Sequence, residues 1–178
     1  MISICKLTHD QIKKLSKEML ILIDTREKVN DHILNYFNKK NIAYRQQALE
    51  FGDYSFMLPK VDGLLCNELY FHKEIVIERK NSLEELSGNL GKGRERFEKE
   101  FLKARNNGCS IHLMVENPQG LNDIMKHNYN TQLKPTSYMA SLKSFEQRYD
   151  LKMQFIDPQY SGYNIYSTFY YYMRNKLH

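Results

Sequence analysis

Short apolar runs alternate with amphipathic stretches along this chain, a rhythm that predicts strands and helices stacked in layers. Met19–Ile23 is an unbroken apolar run of strand length, as a strand covered on both faces requires. Ile111–Val115 reads as a second buried strand, with His112 inside it. Further strands are predicted from Ile42 to Glu50, over Tyr54–Leu58, over Leu69–Lys80 and over Leu151–Ile156. Pro59 to Cys66 is a turn, with Asp62-Gly63 as a hairpin signal. Helical patterning covers Thr8–Lys17, capped by Thr8, and Asn30–Lys40, with Ile33, Leu34 and Phe37 inward. Ser82-x-x-Glu85 has the capping-box pattern and opens a helix. Gly88–Gly93 reads as a glycine-rich loop, and Arg94–Asn106 as a helix with Phe97, Phe101 and Leu102 as its apolar stripe, ended by Gly108. A loop and short helix over Pro118–Lys126, a helix over Pro135–Tyr149 and a tyrosine-rich helix over Ser161–Lys176 complete the pattern. No linker, repeat or low-complexity tract interrupts it, so residues 1–178 are expected to form one domain. The order predicts an α/β fold, a central mixed β-sheet flanked by helices on both faces.

Composition narrows the class. No apolar run approaches the roughly 20 residues needed to span a bilayer, and the first residues lack a signal-peptide layout. Cys5, Cys66 and Cys109 are too scattered for a metal motif, and their odd number argues against a disulfide framework. A reducing, cytoplasmic setting is expected. No His-x3-His or Cys-x2-Cys pair points to zinc. The net charge of +5 permits a polyanionic partner without requiring one.

The chemistry concentrates where apolar runs end in charge. Ile75-Val76-Ile77 leads into Glu78-Arg79-Lys80, and strand alternation puts Glu78 and Lys80 on one face, roughly 6 to 7 Å apart. Burying such charges is costly unless they are paired or metal-bound. Asp24 with Glu27, Asp53 after Gly52, and Arg94 after the glycine loop stand at similar ends. If the strand at Tyr54 pairs with that at Ile77, Asp53 and Glu78 converge, which suits Mg²⁺ with its oxygen ligands and retained waters. Lys80 can then orient a water, take its proton or stabilise a charged transition state, while Arg94 offers a planar fork to phosphate.

These elements resemble the Asp…Glu-x-Lys signature of the PD-(D/E)XK nuclease superfamily, and more closely the XPF-type structure-specific DNA endonuclease domain. That family's elements read here, in its order, as Asp24-Thr25-Arg26-Glu27, Gly52-Asp53-Tyr54, Glu78-Arg79-Lys80 with Glu84, and Gly93-Arg94, over roughly residues 20 to 116. The resemblance implies a restriction-endonuclease-like fold and a Mg²⁺-dependent endonuclease acting on DNA, with Mn²⁺ able to substitute. Asp53 and Glu78 would be its metal carboxylates, with Asp24 as a further ligand or water-mediated contact. Lys80 would be the catalytic lysine, Glu27 and Arg94 supporting active-site residues, and Arg26 a weaker candidate. It also implies that the chain can pair as a homodimer, with the aromatic final helix as one candidate surface. Three departures stand out. Glu84 occupies a position the family usually gives to Asp. The stretch from Asp53 to Glu78 is long enough to hold an inserted hairpin at about 59–72. The tandem helix-hairpin-helix DNA-binding domain of the cellular enzymes is not in this sequence, which resembles compact stand-alone versions carried by phages and bacteria. That resemblance implies the cytoplasm of a bacterial or phage-infected host cell.

Each residue also has a plainer reading. Glu-Arg-Lys alone is usually a solvated strand end, Gly52-Asp53 alone a turn, and Asp24 alone a cap for the next helix. The charges from Arg94 to Arg105 interleave as an i,i+4 ion-paired helix face. His72 and Lys73 are explained by exposure as well as by DNA, and His112 by the core. Tyr163, Tyr166, Tyr170, Tyr171 and Tyr172 can stack on bases, but Ile165, Phe169 and Met173 repeat at helical spacing and favour packing. Two other functions remain open: a non-catalytic nucleic-acid-binding module, and an RNA-processing nuclease of the same superfamily.

Overall fold

The structure is a computed structural model that describes residues 7–178; Cys5 and the N-terminal residues read above lie outside them. Its strands are β1 (Leu20–Ile23), β2 (Ala43–Gln46), β3 (Tyr54–Leu58), β4 (Leu69–Tyr70), β5 (Ile75–Lys80), β6 (Ser110–Glu116) and β7 (Lys152–Ile156). They form one mixed sheet in the order β2-β1-β3-β5-β6-β7, with β4 paired to β3. Pairing is antiparallel on both sides of β3 and parallel for β1 with β2, β5 with β6, and β6 with β7.

Alternation along the strands divides the core in two. Ile21, Ile23, Tyr54, Phe56, Ile75 and Ile77 pack with α1 (His9–Lys17), α2 (Asp31–Lys39) and α7 (Ser161–Leu177). Val76, Ile111, Leu113 and Val115 pack on the other face with α3 (Leu83–Leu90), α4 (Arg94–Asn106), α5 (Leu121–Met125) and α6 (Pro135–Tyr149). The expected mixed sheet with helices on both faces is therefore the observed fold. On α7, Ile165, Phe169 and Met173 are fully buried. Gly162 lets that helix close on α2, since a Cβ there would lie 2.6 Å from the Tyr36 ring.

Local departures have local causes. The strand expected over Leu69–Lys80 is broken after Tyr70, because the amides of Glu74 and Ile75 both close a turn on the Phe71 carbonyl. Phe71 stacks on Phe56 at 4.3 Å, which anchors that turn to the core. The strand expected to reach Glu50 stops at Gln46, and the chain then bends so that Leu49 donates to Asp24. Gly88 lies inside α3, leaving only the end of the expected glycine loop as a turn. At Ser82 the hydroxyl caps the Glu85 amide, but the Glu85 carboxylate accepts from Asn81 instead of closing a full capping box. Leu102 faces solvent, and Ala104 takes its place in the apolar stripe of α4.

Candidate active site

The junction of β1, β3 and β5 is built on a close backbone approach. Gly52 has a φ of 62°, and a Cβ there would meet Val76 Cβ at 2.9 Å and the Ile77 carbonyl at 3.0 Å. Only glycine lets the chain enter β3 this close to β5. Asp53 then lies between two neighbours: its amide donates to Ile77 O at 2.8 Å, and its carbonyl accepts from the Asp24 amide at 2.8 Å. Its Oδ2 accepts the Arg79 amide at 2.7 Å. Along β5 the side chains alternate as expected, so Lys80 Nζ donates to Glu78 Oε1 at 2.7 Å, both residues being buried. Glu85 adds a longer contact to Lys80, at 3.4 Å.

A cleft of about 340 Å³ opens over this junction, lined by Arg26, Asp53, Glu78, Lys80, Arg96 and Glu100. Its electrostatics are those of crowded carboxylates. Burial and the neighbouring Glu78 charge push Asp53 well above the usual carboxylate range. Glu100 is raised by the same two causes, burial first. Burial alone would lower Lys80, but Glu78 and Asp53 outweigh it and hold the ammonium charged. Like charges facing one cleft are relieved by a cation. Asp53 keeps Oδ1 and Glu78 keeps Oε2 without a hydrogen bond, so one oxygen of each is available to an ion. Among the described residues no three His, Cys, Asp or Glu side chains converge closely enough to cage an ion unaided. The donor set fits Mg²⁺, which keeps several waters and takes one or two carboxylates.

Three of the expected site residues lie elsewhere. Asp24 is buried, but both of its oxygens are occupied. Oδ1 accepts from the Arg26 amide at 2.9 Å and from Arg26 Nε at 2.6 Å, and Oδ2 accepts the Leu49 amide at 2.7 Å. These bonds overcome the effect of burial and lower its pKa. The structure thus gives Asp24 the work of a loop clamp, with neither of its oxygens lacking a donor. Glu27 lies on the opposite face of the sheet from Glu78, paired with Arg79 at 2.6 Å and accepting from Tyr54 Oη at 3.1 Å. Burial raises its pKa against the pull of Arg79. Arg79 bridges on to Glu116 at 2.8 Å, which also bonds His32 and Ser161. Arg94 turns away from the cleft, to Glu98 at 2.9 Å, Ser141 Oγ at 3.1 Å and the Phe145 ring. Glu84 caps the Asn130 amide at 2.9 Å and takes no part in the cleft.

Arg96 and Glu100 stand in the cleft instead, although the charge pattern alone places both on a solvated helix face. The signal was present: they are four residues apart, on one face of α4, whereas Arg94 is about 200° round from Arg96 at 100° per residue.

With this geometry in place, comparison with known proteins is decisive for the family. The chain matches the ERCC4 domain over residues 23–167. It belongs to the ERCC4 domain family. XPF from Aeropyrum pernix superposes on this ERCC4 domain with a TM-score of 0.61 at 18% identity, covering 87% of this chain and 65% of that one. The same protein in complex with DNA gives 0.60 at 17% identity, covering 88% and 66%. The chain thus spans just under two thirds of the length of those XPF chains, and at such identity the likeness is one of fold. No curated protein matches. The XPF-type resemblance read from the four motifs agrees with both findings, and the matched range contains every residue lining the cleft.

Proposed function

We propose that this ERCC4 domain is a divalent-metal-dependent endonuclease that hydrolyses DNA phosphodiester bonds. The observation that carries this reading is the meeting of Asp53, Glu78 and Lys80 in one cleft, from the entry to β3 and the end of the adjacent β5. Asp53 and Glu78 would hold the ion, Mg²⁺ or Mn²⁺. When bound, such an ion polarises a phosphoryl oxygen and lowers the pKa of a water. Lys80, kept protonated by its carboxylate neighbours, serves as a fixed positive charge beside the phosphate rather than as the base. DNA as the substrate draws support from the DNA complex of the A. pernix XPF fold relative.

The test is cleavage of end-labelled linear, forked and flap DNA, and of the same sequence as RNA, with Mg²⁺, Mn²⁺ or EDTA. Metal-dependent cutting of DNA, lost in Asp53→Asn and Lys80→Ala with binding retained, is expected. Binding without cutting would make the chain a nucleic-acid-binding module, and cutting of RNA alone would move it to RNA processing. We also propose that two copies pair through α7, where Tyr163 and Tyr171 remain exposed. Sedimentation showing monomers at every concentration would remove that pairing.

A further inference from the structure

Three cations line the cleft, and two are already committed. Lys80 is bound to Glu78 and Glu85. Arg26 is held by Asp24 through its Nε at 2.6 Å and by the Leu49 carbonyl at 3.3 Å. Arg96 differs from both: it is exposed, and among the described residues it makes neither a hydrogen bond nor an ion pair. Its neighbours on α4 do find partners, Lys99 with Glu95 and Arg94 with Glu98. A guanidinium left free at the mouth of an acidic cleft, on a helix anchored by Phe97 and Phe101, is placed to receive a ligand bearing paired anionic oxygens. Lys103, two turns further along the same face and paired with Glu50, continues the line of positive charge away from the cleft.

We propose that Arg96 is the phosphate-binding residue of this site, taking the non-bridging oxygens of the phosphodiester presented to Asp53, Glu78 and Lys80. This assignment rests on the nuclease reading for its substrate class. It moves phosphate binding from Arg94, which the sequence favoured, one face round α4. The side chain is unbonded, so its removal leaves folding intact and the test is clean.

Binding of fluorescein-labelled forked duplex DNA is measured by anisotropy across a salt series in EDTA, for the wild type, Arg96→Ala, Arg96→Lys and Lys143→Ala. Lys143 pairs with Glu146 on α6, outside the cleft, and serves as the control. Arg96→Ala is expected to reduce the slope of log K against log salt by about one, and Arg96→Lys to restore it. In Mg²⁺, Arg96→Ala is expected to cut kcat/KM about ten- to a hundred-fold, with only partial recovery in Arg96→Lys, which lacks the fork. An unchanged slope in Arg96→Ala overturns the assignment even if the wild type cleaves. A lost slope with no wild-type cleavage sustains the assignment and overturns the nuclease reading. Wild-type protein that binds no DNA overturns both.

Discussion

Arg79 braces, through its backbone, a cleft that its side chain does not enter. Its guanidinium lies on the face opposite the cleft, 4% exposed, held between Glu27 at 2.6 Å and Glu116 at 2.8 Å. Its backbone amide, on the other hand, is the donor that fixes the Asp53 carboxylate. Removing the side chain leaves two buried carboxylates facing each other, a change that typically costs ~3–5 kcal/mol. Arg79→Ala is therefore expected to melt roughly 10 °C below the wild type in the absence of metal. A loss of one or two degrees, read by calorimetry, would show that the pair is solvated. Asp53 carries the opposite expectation. Its charge is disfavoured by burial and by Glu78, and an amide oxygen can still accept from Arg79. Asp53→Asn should hold or raise the metal-free melting temperature while abolishing cleavage. The sequence showed that Glu78, Lys80 and Asp53 belong together, because strand period and pairing order suffice for that. It did not show that Asp24 clamps a loop, since the Leu49 and Arg26 donors reach it only through the fold of that loop.

At the scale of elements, the sequence pattern marks where α4 begins and ends more readily than which of its faces meets the site. The pattern located α4 to within a residue, but the ion-paired spacing of its charges concealed that Arg96 and Glu100 look into a cleft while Arg94 and Glu98 look at α6. A helix presents several faces, and only its packing partners decide which one meets the site. Strands are more legible where both faces are covered, as in β1 and β6, than over Leu69–Lys80. There the Phe71 turn breaks a run that looks continuous. Strand β6 also carries a titration. His112 lies within it with neither ring nitrogen bonded, and burial, with Lys152 beside it, lowers its pKa to about 4. An unfolded imidazole titrates near ~6.5, so between these values the unfolded chain takes a proton that the native strand refuses. Stability is therefore lost as pH falls through that window, by up to ~3 kcal/mol. Asp53 acts with the other sign, because its raised pKa makes the native state hold a proton longer. The comparison that isolates His112 is wild type against His112→Leu in urea, from about pH 7 to about pH 4. The variant should lose much less stability over that range, and parallel curves would mean that the ring reaches water.

In the whole molecule, two cores meet at one sheet, and the cleft sits where strand ends bring charge to their boundary. The carboxylates of this cleft crowd one another, and the Lys80 ammonium is the only positive charge bound to Glu78 among the described residues. A metal that binds the folded state alone stabilises it by mass action, by about 2.7 kcal/mol at a hundredfold excess over Kd. Millimolar Mg²⁺ is accordingly expected to raise the wild-type melting temperature by several degrees and to leave Asp53→Asn unmoved. A metal at Asp53 must also displace a proton, because burial and Glu78 push its pKa up, so the increment should grow as pH rises over a series from acid to mildly alkaline buffer. Scanning fluorimetry with and without Mg²⁺ across that range reads this directly and needs no substrate. An increment that is flat with pH would place the ion away from Asp53. An increment that persists in Asp53→Asn would put it at other carboxylates, and the cleft would then lose its claim to the chemistry.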